Sequence, residues 1–285
     1  MHSLTLPCPA KLNLGLRVLQ RRADGYHELQ TLFQLLDYGD ELRLDAAPAG
    51  ELTLNDLPGL PAENNLVLRA ARALLAAAGT TDRGARLTLT KRLPAGGGVG
   101  GGSSDAATAL VGLNALWRIG FDTAQLAHIG AQLGADVAVF VRGRSAFAEG
   151  IGERLTPMEL PARWYVVLAP ACHVSTQAVF AHKDLTRHNH AITVRAFLAE
   201  GGINDCEPLV VAQYPEVKTA LDWLLTHGQA RLTGTGACVF APFEKEAEAR
   251  KVLAAKPARI HGFVAAGINE SPLYGRLRQV LSTGV

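Results

Sequence analysis

No pair of the four cysteines, Cys8, Cys172, Cys206 and Cys238, stands in a CxxC spacing, and all are far apart. That excludes the usual zinc frameworks and gives no reason to expect a disulfide scaffold; buried, reduced thiols are expected instead. Charge is also scarce. Lys, Arg, Asp and Glu make up 19% of the chain, the formal net charge is +2, and no block of like charges occurs. The composition therefore offers no electrostatic attraction to nucleic acid or to an anionic membrane surface. No apolar run approaches the length of a membrane span. The opening MHSLTLPCPAK lacks a basic segment followed by a long apolar core, so it does not resemble a secretory signal. No repeat of 20 to 50 residues is visible, and only one stretch has biased composition. A soluble cytoplasmic protein is the expectation.

What is present is a substantial apolar share, 48% of 285 residues, enough for a real core and, on length, for two domains. The biased stretch is PAGGGVGGGSSDAA, Pro94 to Ala107, where six of seven consecutive residues are glycine. Glycine removes the Cβ that keeps backbone N–H groups away from a ligand and permits positive φ, so such a loop can wrap an anion. Before it, Ala85, Leu87 and Leu89 alternate with Arg86, Thr88 and Thr90, the period of a half-buried strand. After it, Ala106, Ala109, Leu110, Leu113, Leu116 and Trp117 follow one helix face, with Ser103 or Ser104 as the expected cap. Strand, glycine loop and helix N-terminus together predict a phosphate site.

The kind of phosphate site can be narrowed. A P-loop requires GxxxxGK[ST], and serine stands where that lysine belongs. Gly96, Gly98 and Gly101 match GxGxxG, but a glycine-dense run does so almost automatically, and no following strand offers a ribose-binding acid. A third arrangement binds phosphates on the loop and places the chemistry elsewhere. Phosphoryl transfer to an alcohol needs a positioned donor, charge compensation and a group that orients the hydroxyl. Two residues fit. Lys11 and Asn13 lie on one face of an alternating segment from Lys11 to Val18. Asp136 stands before the apolar run Val137 to Val141, where a carboxylate must be paired, hydrogen-bonded or exposed at a cleft.

Other elements are read from periodicity and caps. Leu42 and Leu44, and then Leu52 and Leu54, suggest short strands. Glu63-Asn64-Asn65 caps a helix from Leu66 to Ala78 that Gly79 stops, and Asp122 with Gln125 forms a capping box for a helix ending at Gly134. Trp164 to Ala169 is a buried strand that opens a second domain, with the boundary near Thr156, giving domains 1–156 and 157–285. Ser175 or Thr176 caps a short helix, and His188-Asn189-His190 reads as a solvated loop with no metal. Helices are expected at Thr193 to Glu200, Leu209 to Gln213, Glu216 to His227 and Glu244 to Ala255, with strands at Ala237 to Ala241 and Phe263 to Ala266.

Three segments, PAKLNLGL at Pro9 to Leu16, the glycine loop and GTGACVFA at Gly234 to Ala241, resemble the three motifs of the GHMP kinase superfamily. DGYHELQT at Asp24 to Thr31, LGADVAVFVRG at Leu133 to Gly143 and the ND-x-EP pattern at Asn204 to Pro208 point, within it, to a member whose acceptor is an alcohol on a cytidyl diphosphate. The resemblance implies an α+β two-domain fold, an N-terminal ribosomal S5 domain 2-like α/β domain followed by a ferredoxin-like domain. It implies ATP and Mg2+ as cofactors and a monomer or weak homodimer. Asp136 would accept or orient the hydroxyl proton, and Lys11 would hold the hydroxyl and offset charge. Asn13, Tyr26, His27, Thr176 and Phe180 would bind the acceptor, with the cytosine sandwiched between Tyr26 and Phe180 and its edge bonded by His27. Pro94, Gly96, Gly97, Gly98, Gly100, Gly101, Gly102, Ser103 and Ser104 would bind ATP phosphates, with Asn65 and Lys91 near the adenine and Ser104 the candidate magnesium ligand.

Overall fold

The computed structural model describes residues 2–57, 61, 64–187, 189–199 and 202–283. Two long strands begin the chain, β1 (Ser3–Arg21) and β2 (His27–Ala47), antiparallel along nearly their whole length and joined at Arg22 to Tyr26. The segments around Leu42 and Leu44, expected as a short strand, are the end of β2, because continuous pairing with β1 carries the strand through. On its other edge β2 pairs in turn with three partners. These are β4 (Gly84–Thr90) at Glu41 to Ala47, β10 (His261–Ile268) at Leu35 and Leu36, and β5 (Ala146–Gly150) at Leu29 to Phe33. β3 (Leu52–Leu54) runs parallel to β4, and β6 (Arg154–Pro157) pairs with β5. β10 also pairs with β7 (Trp164–Ala169), which continues to β9 (Val239–Phe243) and β8 (Arg231–Leu232). One sheet therefore spans both halves of the described chain.

Helices α1 (Leu66–Ala78), α2 (Gly101–Leu116), α3 (Thr123–Leu133) and α4 (Val137–Arg142) cover the first part of the sheet. Asn65 caps α1 by accepting from the Val67 amide, Gly79 ends it at φ 64°, and Asp122 and Gln125 form the capping box of α3. Glu63 lies outside the described residues. Helix α2 departs from the sequence reading at both its start and its faces. It is capped by Gly100 at φ 75°, not by Ser103 or Ser104, which lie inside the first turn. A side chain at position 100 would bring its Cβ to 2.7 Å from the Phe140 ring, so only glycine fits this cap. Every residue from Ser104 to Leu113 is buried, because α2 lies between the sheet and α1, α3 and α4. A helix so enclosed buries all its faces, and the single predicted face was only part of it.

The second core lies under β7 and β9, packed by α5 (Thr176–Ala181), α7 (Glu207–Gln213), α8 (Pro215–Leu225) and α9 (Glu246–Ala254), and it also takes in Leu16 and Val18 from β1. Ser175 caps α5. Helix α6 (Val194–Ala199) falls within the expected Thr193 to Glu200. Glu200 and His188 lie outside the described residues. α10 (Pro272–Thr283), not anticipated from the sequence, returns to the first core, where Leu273 is buried and Leu277 and Val280 pack against it. Between the two cores, Ala10, Leu12, Leu93, Val99, Val167 and Phe240 form a third cluster directly beneath the glycine loop. All four cysteines are free.

Candidate active site

The glycine loop is held from behind by its carbonyl oxygens. The Lys11 amide donates to Val99 O at 3.0 Å and the Cys238 amide to Gly97 O at 3.1 Å. Gly98 O accepts from Lys11 Nζ at 2.9 Å and from Thr233 Oγ1 at 3.3 Å. Lys11 of strand β1, with Thr233 and Cys238, thus consumes the acceptors. Positive φ recurs at Gly96, Gly98 and Gly100, the alternation that turns successive N–H groups into an anion-binding concavity. The first amides of α2, at Gly101, Gly102 and Ser103, are those a helix leaves unbonded, and they extend the concavity with the positive end of the dipole.

This loop forms one wall of a cavity of about 540 Å³. Lys11, Asn13, Asn65, Lys91, Pro94, Gly96, Gly97, Gly98, Gly100, Gly101, Gly102, Ser103, Asp136, Thr176 and Phe180 all line it. Of the predicted residues, Ser104, Tyr26 and His27 do not. Ser104 is buried, and its hydroxyl has no hydrogen-bond partner among the described residues. Tyr26 is 60% exposed in the turn between β1 and β2. His27 is buried behind Phe180, with the two rings stacked at 5.2 Å and 25°.

At the floor of the cavity a break in register between Pro9 and Lys11 bends β1 where it passes the loop. Lys11 is 2% exposed. Its ammonium donates to Asn13 Oδ1 at 2.5 Å and to Gly98 O, lies 3.1 Å from Asp136 Oδ2, and sits 5.4 Å from the centre of the Phe33 ring. The solvated strand face that a lone lysine would ordinarily suggest is thereby replaced by a buried, fully bonded cation. Asp136 occupies the cap position of α4 but makes no capping bond, so its carboxylate is free to face Lys11 and the cavity. Asn13 is fixed by its Nδ2 on Thr31 Oγ1 at 2.8 Å and its amide on Thr233 Oγ1 at 2.9 Å. Thr176 Oγ1 and Thr235 Oγ1 share a hydrogen bond of 2.9 Å that ties α5 to the third motif.

Beside the start of α2 at Gly101, Lys91 lies between two acids. It pairs with Asp40 and, at 2.8 Å, with Asp105. Asp40 is satisfied by the amides of Arg92 and Leu93, at 2.5 and 2.8 Å, as well as by the lysine. Asp105 has only the lysine, and its Oδ1 is buried without a partner among the described residues. Burial pushes the Asp105 carboxyl up; Lys91 opposes this, Asp40 adds to it, and it reaches about 7. Sequence reasoning missed Asp40, Thr31, Thr233 and Thr235. Thr235 lies inside the quoted GTG motif and Thr233 directly before it, so both were within reach; Asp40 is an acid at a strand position, with no local signal of burial.

Residues 65–144 match the N-terminal domain of the GHMP kinases, and residues 180–259 match the C-terminal domain of the same family. With a cavity built from its three motifs, the chain belongs to the GHMP kinases and has their two-domain α+β fold. Within the family, it is 53% identical over 279 residues to the 4-diphosphocytidyl-2-C-methyl-D-erythritol kinase of Pseudomonas paraeruginosa, covering 98% of this chain and 99% of that one. It is 52% identical over 282 residues to the kinase of the same name from Marinobacter nauticus, covering 97% and 98%. Its structure is similar to a crystal structure of 4-(cytidine 5'-diphospho)-2C-methyl-D-erythritol kinase, with a TM-score of 0.81 at 35% identity, covering 93% of this chain and all of that one. Homoserine kinase from Cytophaga hutchinsonii shares the fold at 17% identity and a TM-score of 0.69.

Proposed function

We propose that the protein transfers the terminal phosphoryl group of ATP to the 2-hydroxyl of 4-diphosphocytidyl-2-C-methyl-D-erythritol, giving the 2-phosphate and ADP, in the non-mevalonate route to isoprenoid precursors. The observation that carries this reading is the Lys11–Asp136 pair, 3.1 Å apart, lining the same cavity as the glycine loop. The pair supplies what the reaction needs on the acceptor side. Asp136 accepts or orients the proton of the attacking hydroxyl, and Lys11, already fixed by Asn13 and Gly98, holds that hydroxyl and offsets charge. On the donor side the amides of the loop and of α2 take the phosphates, with Asn65 and Lys91 toward the adenine. Asn13 and Thr176 hold the acceptor's polar groups, and Tyr26, His27 and Phe180 bind its cytosine.

Magnesium fits one observation. The Ser104 hydroxyl is a hard oxygen donor, buried and unpartnered among the described residues at the start of α2. Ser104 would hold the ion, which supplies charge neutralisation on the phosphates. Domains at 1–156 and 157–285, a cytoplasmic location and a monomer or weak homodimer complete the proposal.

The test is Asp136→Asn. Release of ADP with the cytidyl acceptor should be abolished, while calorimetry still detects binding of ATP and of the acceptor. A variant with near-normal kcat would remove Asp136 from this role.

A further inference from the structure

Arg187 lies in the loop after α5, outside every motif of the sequence, and it ties His27 and Phe180 together. Its Nε donates to His27 Nε2 at 3.2 Å. One terminal nitrogen donates to the Phe180 carbonyl at 2.9 Å and to the His182 carbonyl, and the other reaches the Lys183 carbonyl at 3.4 Å. These carbonyls lie at and just beyond the C-terminus of α5, where a helix leaves acceptors unbonded and its dipole favours a cation. The guanidinium is thus anchored on the α5 side, and its Nε–H is aimed at the imidazole.

A guanidinium keeps its protons at any ordinary pH and has no acceptor, so the bond to Nε2 is donated by arginine and Nε2 carries a lone pair. A neutral imidazole has one N–H, which then sits on Nδ1. Burial, followed by the cations of Arg187 and Arg21, lowers the His27 pKa and keeps the ring neutral. Among the described residues no protein group bonds Nδ1, so no acceptor of the protein there competes for that N–H. The ring cannot tilt freely, because Phe180 is stacked against it.

We propose that Arg187 is a positioning residue that fixes His27 as a neutral Nδ1–H donor against Phe180, so that the rim selects a pyrimidine with an acceptor at N3. Cytosine has a lone pair at N3, whereas uracil has an N–H there that would face the histidine's own. The inference rests on the cytidyl reading given under the proposed function. It adds to that reading a discrimination between two bases of the same size, made by opposing donors as well as by matching ones.

Two variants and two measurements test it. In 15N spectra of the full-length protein at pH 8, His27 should show a protonated Nδ1 and an unprotonated Nε2, and Arg187→Met should move the proton to Nε2 or leave the two forms in exchange. In kinetics, Arg187→Met should raise KM for the cytidyl acceptor about tenfold, the worth of one hydrogen bond. The fall in kcat should be smaller and KM for ATP unchanged. The preference for CDP over UDP as competing ligands should shrink by a similar factor. Arg187→Lys, which can still donate to Nε2, should recover part of it. A wild-type spectrum with the proton on Nε2 overturns the assignment, and it decides the matter even if Arg187→Met does not fold. Equal weakening of CDP and UDP would overturn the selection. A wild-type protein that releases no ADP with the cytidyl acceptor would instead reject the proposed function, while the spectrum still reports the tautomer.

Discussion

Replacing Asp105 with asparagine should stabilise the protein, and should do so more as pH rises. Asp105 and Asp40 share the single ammonium of Lys91, and Asp40 holds the better bonded position, with two backbone amides in addition. Asp105 is left with one partner and a buried, unpartnered oxygen, and burial first, then Asp40, moves its carboxyl from 3.8 to about 7. The sign follows directly. Between those two values the folded chain keeps a proton that the unfolded chain releases, so stability falls as pH rises through the window. The whole window corresponds to about 4 kcal/mol as an upper bound, and the part between pH 5 and pH 8 to about 2 to 3 kcal/mol.

Asparagine keeps an oxygen for Lys91 and carries no charge beside Asp40, so the neutral arrangement becomes permanent. Urea unfolding of both proteins at pH 5, 6, 7 and 8 isolates this group, because every other titration is common to the pair. The advantage of Asp105→Asn should be smaller at pH 5 than at pH 8, widening by about 2 to 3 kcal/mol between them. A difference independent of pH, or one that narrows, would mean that Asp105 is an ordinary ionised partner of Lys91 and that the reasoning is wrong.

Gly100→Ala should lower the thermal midpoint and weaken ATP binding together. Its Cβ would meet the Phe140 ring at 2.7 Å with φ at 75°, a cost of about 2 to 4 kcal/mol for overpacking and left-handed backbone; an unchanged melt with ATP-analogue binding intact would exclude it. Asn65→Ala removes the bond to the Val67 amide and should cost about 1 kcal/mol, lowering the midpoint by about 2 to 4 °C in calorimetry; the cap assignment fails if the midpoint does not move.

Where local chemistry decides an element, the sequence was sufficient. Asn65 and Gly79 bracket α1, Asp122 and Gln125 start α3, and the alternation of Ala85, Leu87 and Leu89 marks β4. Where tertiary packing decides, it was not. Ser103 and Ser104 look like caps, but the Phe140 ring, 40 residues away in sequence, leaves room only for glycine at position 100, and the helix starts earlier. Leu273, Leu277 and Val280 carry the spacing of a helix face and made α10 legible, though it was not anticipated. The site divides in the same way. Lys11, Asp136 and the glycines lie within motifs, and the cavity brings them together. Asp40 and Arg187 act through partners 51 and 160 residues distant, and no local pattern announces either.

The return of α10 to the first core bears on how the chain is made. Leu273 is buried among residues that a ribosome delivers some two hundred positions earlier, and β10, which pairs with β2, also arrives late. The amino-terminal lobe therefore cannot seal its apolar surface while it is being synthesised, and it must wait, partly open, for the final helix. A nascent chain arrested before residue 272 should engage chaperones through that lobe, although all three family motifs have already emerged.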